Sequence, residues 1–315
     1  MKKISFVILN YKTWQESVAC VESIQGLNRK EHVDIIVVDN GSANESVDKL
    51  REIFKSVDNV TILSAGKNLG FAKGNNLGIT YAKKHFDPDF VVAANSDILF
   101  EQPDFCEKIE EIYEKTPFGV LGGDILDATR TQHLNPVAEK RNYTIPYMRK
   151  QMLVSYAKAL SFRLIKALHL KKKVMGRYGV STDETGKDVN DGSKNLTTRE
   201  VDGKSIAAAD CVGSDKEDVL LHGCCMIFSK DYLEQLGGFW PDTFLYAEEE
   251  IVYYLAKKKG LKVLYSPQIG CIHKEAVTTS ELYRDFCDRK IFYFSNVAES
   301  YRKFLGLMKR MEKDV

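Results

Sequence analysis

Over its first 127 residues the chain alternates short apolar runs with segments of helical periodicity, and this alternation constrains the fold more than any other feature. Ile4–Leu9 is a continuous apolar run, too short for a signal segment or a membrane span, and is expected to be a buried first strand. Val33–Val38, Val60–Leu63, Phe90–Ala94 and a short piece of Val120–Leu126 repeat the pattern. Between them, Val18, Val21 and Ile24 recur at helical spacing up to Gly26, and Val47, Leu50 and Phe54 share one face. Thr13/Glu16 and Ser42/Glu45 have the spacing of capping boxes, Phe71–Lys84 is a third helix, and Pro103 suits the first turn of a fourth. Apolar strands joined by amphipathic helices imply an α/β fold, a parallel sheet with helices on both faces. Ligands of such sheets lie beyond the carboxyl ends of the strands, so Asn10-Tyr11, Asp39-Asn40, Gly66–Asn68 and Asn95–Asp97 are the places to look for function.

After residue 127 the pattern changes. Lys140–Arg177 carries 11 Lys/Arg and no Asp or Glu, with a helical stretch over Met148–Leu170. Tyr178–Asp218 is acidic and weakly periodic, which suggests a loop or insert. Order resumes at Val219, with a strand over Cys225–Phe228 and a short helix stopped at Gly237-Gly238. A helix over Glu248–Lys259 and a strand at Val263–Tyr265, halted by Pro267, come next. Residues 281–315 are expected to be mostly helical and basic at their end. The expected organisation is therefore one catalytic domain over 1–280, with 128–218 as a variable insert, and a helical extension over 281–315.

Lys+Arg is 45 against Asp+Glu 44, which removes the broad basic excess of a nucleic-acid binder. The 7 Cys are an odd number and form no C-x-x-C pair, so small buried thiols in a reducing compartment are expected. That points to the cytoplasm, with peripheral contact at the inner face of the membrane left open.

Several polar residues carry candidate chemistry. Asp39 ends a buried strand; it can receive a nucleobase imide or ribose hydroxyl, or simply shape the turn. Asn68–Gly78 is rich in Gly and Asn: small residues admit a ligand to the backbone and the helix start at Phe71 offers N–H groups to phosphate, or they permit close helix packing. The segment matches neither a dinucleotide fingerprint nor a phosphate-binding P-loop. Asn95-Ser96-Asp97 ends the fourth run, where Mn²⁺ or Mg²⁺ could meet a diphosphate; these ions often take one or two carboxylates plus phosphate oxygens. Glu248-Glu249-Glu250 opens a helix, either as solvated charge favoured by the helix dipole or with one carboxylate acting as a base. His273 is a lone histidine just past a strand.

Taken in order, these segments resemble the inverting glycosyltransferases of family two, with the GT-A fold, over about 4–127 and 219–275. Val7–Tyr11 and Val37–Ser42 resemble that family's first two strands. Asn68–Gly78 resembles the stretch in its rhamnosyltransferase-like and polysaccharide-building branches. Asn95-Ser96-Asp97 stands where its D-x-D motif stands, with Asn in place of the first Asp. Thr243–Glu249 resembles its acceptor-side motif. The resemblance implies a GT-A-type, Rossmann-like nucleotide-binding sheet plus C-terminal helices. It implies that Leu9, Asn10, Tyr11 and Asp39 line a nucleoside pocket and that Asn68, Gly70, Asn76 and Asn95 border the donor. Asp97 and His273 would hold the metal. Glu249 would be the base, with Glu248 as the alternative, and Gly223 would give the acceptor room. The resemblance is compatible with a dTDP- or UDP-sugar as the expected donor and with a glycan or lipid-linked acceptor at the cell surface.

Two rivals are a sugar-nucleotide pyrophosphorylase, whose Gly-rich basic loop is absent at Asn10–Thr13, and an inactive scaffold at a membrane surface. Apolar residues among the bases of Phe162–Leu170 and of Tyr301–Met311 suit an anionic membrane surface, an acceptor cleft or a homo-oligomer interface.

Overall fold

The computed structural model describes residues 2–29, 32–168, 213–274 and 285–313, with two short strands at 181–182 and 188–189. Much of the acidic segment, and Lys171–Lys173 of the basic one, lie outside the described residues. The chain divides into two compact units, Met1–Asn142 with Ala208–Ala276 and Tyr143–Ala207 with Val277–Val315.

The first unit is built on one nine-stranded sheet in the order β3-β2-β1-β4-β10-β6-β11-β5, with β9 beside β11. The strands are β1 (Ile4–Asn10), β2 (Val33–Asp39), β3 (Val60–Ser64), β4 (Phe90–Asn95), β5 (Ile98–Leu99), β6 (Val120–Asp127), β9 (Lys216–Glu217), β10 (Cys225–Ser229) and β11 (Val263–His273). The two short strands at 181–182 and 188–189 are β7 and β8, which pair only with each other. The helices are α1 (Trp14–Gln25), α2 (Ser46–Phe54), α3 (Phe71–His85), α4 (Phe105–Lys115), α6 (Lys230–Leu236) and α7 (Glu248–Lys258). The second unit holds α5 (Ile145–Ala167) and α8 (Phe286–Lys313).

The sheet is mixed rather than wholly parallel. β1 runs parallel to β2 and β4, whereas β10 is antiparallel to both β4 and β6. This geometry has a use: the carboxyl ends of β1, β2 and β4, the start of β10 and the end of β11 share one edge. Alternate side chains split between the faces. Ile4, Phe6 and Ile8 of β1 join one core with Val21 and Ile24 of α1, Leu50 of α2 and Ile109 of α4.

The other face receives α3, and its glycines are explained there. A Cβ at Gly78 would lie 2.5 Å from Cγ1 of Val7 and 2.9 Å from Cγ2 of Val38; one at Gly74 would lie 2.7 Å from Cδ1 of Leu9. Close packing of helix on sheet, not access for a ligand, is what these two glycines provide. Gly78→Val is therefore expected to lower stability by about 1–3 kcal/mol through overpacking, seen as a reduced urea midpoint with unchanged slope. An unchanged midpoint would show that α3 can lift off the sheet without cost.

Strand β11 departs most from expectation. It does not stop at Pro267, but bulges between Ser266 and Gly270 and resumes pairing with β6 up to His273. Proline removes a ladder N–H, and the side chain of Gln102 bridges the break. Its Nε2 donates to the Gln268 carbonyl at 2.9 Å and its Oε1 accepts from the Gly270 N–H at 3.0 Å.

Neither capping box forms. Thr13 and Glu45 stand at the two N-caps without a side-chain cap bond. Thr13 Oγ1 meets Ser96 Oγ at 3.2 Å, Glu16 pairs with Lys274, and Ser42 Oγ accepts from the Lys12 N–H at 2.7 Å. These side chains tie neighbouring loops together at the sheet edge instead of closing their own helices.

In the second unit, α5 and α8 pack antiparallel: Tyr156, Arg163 and Lys166 meet Glu299, Ser295 and Asp288 in descending order. Thr144 caps α5, accepting from the Tyr147 N–H at 3.3 Å, and Pro146 sits in the first turn. Phe162 lies against Phe286 and Phe294. The basic helix and the C-terminal helix, read separately from the sequence, are thus one pair. Among the described residues no helix is long and apolar enough to cross a membrane.

Candidate active site at the carboxyl edge of the sheet

β1 and β2 are in register so that Asn10 lies opposite Asp39. Both are fully buried. Asn10 Nδ2 donates to Asp39 Oδ2 at 2.8 Å, Ser17 Oγ donates to Asn10 Oδ1 at 3.0 Å, and the Ser42 N–H donates to Asp39 Oδ1 at 3.0 Å. Asp39 therefore fixes the turn after β2, while the half-buried Leu9 and Tyr11 stand at its margin.

Asn68 and Gly70 build the next loop. Asn68 Oδ1 accepts from the Gly70 N–H at 2.9 Å and from Asn40 Nδ2 at 3.3 Å. Gly70 has φ +83° and its missing Cβ would fall 2.4 Å from the Phe244 carbonyl oxygen, so only glycine fits there. The N–H of Phe71 donates to that same carbonyl at 2.7 Å. The first N–H of α3 is thus taken by the 243–246 segment rather than presented to a phosphate.

Asn76 is also committed elsewhere. Its Nδ2 donates to the Phe239 carbonyl at 2.6 Å and its Oδ1 accepts from the Phe239 N–H at 2.9 Å. Both ends of the amide clamp the turn after α6 to α3, instead of facing a donor. Asn76→Ala is expected to cost about 1–3 kcal/mol, because it strands backbone groups, and to leave donor affinity unchanged. Weaker donor binding at undiminished thermal stability would return Asn76 to the donor side.

Asp97 and His273 come together. The chain leaves the middle of the sheet at Asn95, whose N–H donates to the Cys224 carbonyl at 2.8 Å, and re-enters at β5 against the end of β11. The Lys274 N–H donates to the Asp97 carbonyl at 3.0 Å, and His273 Nε2 lies 3.4 Å from Asp97 Oδ2. Both side chains are buried. Burial opposes charge on His273, yet the Cys224 sulfur and the Asp97 carboxylate outweigh it and its pKa is pushed up to about 11. Burial also pushes the Cys224 thiol up, against the pull of the neighbouring His273.

His222, passed over in the sequence, borders this pair. Its ring centroid is 5.8 Å from that of His273, edge to face. Its Nδ1 accepts from the Cys224 N–H at 3.2 Å, which leaves the ring proton of the neutral form on Nε2. The available signal was its place directly before Gly223.

Gly223 abuts Glu249: a Cβ at Gly223 would lie 3.6 Å from Glu249 Oε2. Of the three successive carboxylates, Glu248 and Glu250 are buried and Glu249 is half-buried. Tyr246 and Ala247, just ahead of α7, both have left-handed backbones, with φ +72° and +68°. Two adjacent non-glycine residues in that region store strain, a common feature of functional loops.

Among the described residues no group of three or more His, Cys, Asp or Glu is gathered to hold a metal ion. The Asp97 carboxylate fits an ion whose other ligands are phosphate oxygens and water, the usual arrangement for Mg²⁺; the imidazole beside it is a ligand type suited to transition metals and so favours Mn²⁺ of the two.

The model of the glycosyl transferase family 2 matches residues 5–171. The chain belongs to glycosyl transferase family 2. The matched stretch contains Asn10, Asp39 and Asp97 and ends before Gly223, Glu249 and His273. A curated relative, the low-salt glycan biosynthesis hexosyltransferase Agl10 of Haloferax volcanii, is 22% identical over 91% of this chain and 74% of its own length. Among solved structures, the mannosyltransferase PcManGT from Pyrobaculum calidifontis, in complex with GDP-Man and Mn2+, aligns with TM-score 0.51 and 12% identity over 95% of this chain and 74% of its own. GalNAc-T7 with UDP, GalNAc and Mn2+ aligns with TM-score 0.53 and 13% identity over 88% of this chain, which spans only 45% of that protein. These likenesses establish the GT-A-type α/β fold.

Proposed function

We propose that this chain transfers a sugar from a nucleoside-diphosphate donor to an acceptor hydroxyl, with inversion at the anomeric carbon and with a divalent metal, in the assembly of a glycan. The observation that carries the reading is a continuous line of contacts at the sheet edge: Asp97 to His273, His273 to His222, and Gly223, next in the chain, to Glu249. It sets the Asp97–His273 pair beside the Glu249 carboxylate at a gap free of side chain. Family membership, the Agl10 relative, the GDP-Man and Mn2+ complex of one structural neighbour and the UDP, GalNAc and Mn2+ complex of the other support it.

Asp97 and His273 would hold Mn²⁺ or Mg²⁺. Such an ion supplies charge neutralisation to the departing diphosphate. His273 must give up its proton to act as a ligand. Leu9 and Tyr11 would border the nucleoside, on a floor stiffened by the Asn10–Asp39 bond. Glu249 would accept the proton of the acceptor hydroxyl as its oxygen forms the new bond to the anomeric carbon. The old carbon–oxygen bond breaks with its electron pair going to the diphosphate. Gly223 leaves space for the acceptor beside Glu249. Fixing both substrates in line supplies most of the rate and disfavours water as the acceptor.

Donor identity is tested by thermal shift with Mn²⁺ and a panel of dTDP-, UDP- and GDP-sugars, which separates hexosyl from rhamnosyl transfer. The anomeric configuration of the product, read by NMR, tests inversion; retained configuration would overturn the single-displacement scheme. No metal-dependent stabilisation by any nucleoside diphosphate would overturn the donor site.

A further inference from the structure

Helix α5 is apolar on two opposite sides. Met148, Ala159 and Phe162 are buried on one. On the other, Leu153, Leu160, Leu164 and Leu168 are 61%, 55%, 53% and 64% exposed. Their spacing returns each to nearly the same direction on a helix, so they form one stripe. Six of the eight large hydrophobic residues that stand exposed among the described residues lie on α5 or its C-cap. Single exposed leucines are ordinary, but a stripe that gathers every exposed leucine among the described residues marks a contact surface.

The charges select the partner. α5 carries Arg149, Lys150, Lys158, Arg163 and Lys166 and no acidic residue. The carboxylates of α8 that meet it, Asp288 and Glu299, are engaged with Lys166 and with Arg302. If a second copy laid its own α5 on the stripe, two helices whose charged residues are all cations would be brought together, with no carboxylate on either to offset them. An anionic, apolar-centred surface satisfies both properties at once.

We infer that the outward face of α5 docks on an anionic membrane surface, with its leucines entering the boundary between headgroups and acyl chains and Arg149 and Lys150 against lipid phosphates. Nothing in this depends on sugar transfer, since binding to vesicles needs neither donor nor metal.

The test is flotation of the full chain with phosphatidylcholine vesicles, with and without phosphatidylglycerol, at low and high salt. Binding is expected only with phosphatidylglycerol and is expected to fall as salt rises. The double variant Leu160→Asp/Leu164→Asp changes exposed positions only, and is expected to weaken partition by at least about tenfold while leaving the unfolding temperature of the free protein in place. Arg149→Glu/Lys150→Glu is expected to weaken it as well. Absence of binding to phosphatidylglycerol vesicles at low salt overturns the inference, and so does equal binding to neutral vesicles. Sedimentation equilibrium supplies the remaining outcome: a dimer that Leu160→Asp/Leu164→Asp dissociates would assign the stripe to a second copy instead.

Discussion

Asp97→Ala is expected to abolish transfer and to remove the metal-dependent stabilisation by nucleoside diphosphate. Asn95 leaves Asp97 as the one carboxylate of its segment, so nothing adjacent can replace it. The substitution also acts on His273, because the carboxylate 3.4 Å away favours its protonated form. The sign follows from that pKa, which folding raises. The stability that His273 draws from Cys224 and Asp97 together is fully present below the unfolded histidine value, about 6.5, and is lost as pH rises through about 11. The variant should therefore be less stable than the parent at pH 6, with the gap closing in strongly alkaline solution. Two measurements separate the roles: transfer in metal-buffered assays, and urea midpoints across pH without metal. Full activity of the variant would remove Asp97 from the site; a stability gap that widens with pH would contradict the charge assignment.

Glu249→Gln is expected to lower turnover about 10²–10⁴-fold, with donor affinity nearly unchanged. The amide keeps the size and hydrogen-bonding reach of the carboxylate but cannot accept the proton. Successive side chains on a helix diverge by about 100°, so of three adjacent carboxylates only one can face a given gap. Glu249 is half-buried beside Gly223, while Glu248 and Glu250 are buried. The control is Glu248→Gln under the same assay. If that variant loses turnover and Glu249→Gln does not, the base stands one residue earlier. If neither does, proton removal belongs elsewhere in the molecule.

The strands of the first half were legible because each is a short apolar run closed by a polar residue, and Asn10, Asp39 and Asp97 fell at the predicted edge for the same reason. What local pattern could not reveal was side chains spent on distant partners. Thr13, Glu16 and Ser42 have capping-box spacing, yet they bond to residues brought near only by the sheet. Pro267 is a sound strand-breaker by itself, and β11 survives it because Gln102 lies alongside. Asn76 and the Phe71 N–H looked available for a ligand until Phe239 and Phe244 were placed against them. The glycines of α3 have two readings in sequence, and only the nearness of Val7 and Val38 separates them.

The bulge at Pro267 matters well beyond β11. Asp97 is reached early in the chain and His273 only after most of the rest, so the pair exists only once the last strand has docked in register. A chain interrupted before β11 would carry the Asn10–Asp39 turn and Asp97 but lack the imidazole beside them. If the pair holds the metal as proposed, metal affinity and completion of the sheet are two readings of one equilibrium. Gln102, which touches neither member of the pair, governs both, since a slip at the bulge would turn residue 273 to the opposite face of the sheet. Late, long-range closure of this kind is slow to form, and until it is complete the molecule holds Asp97 without His273 beside it.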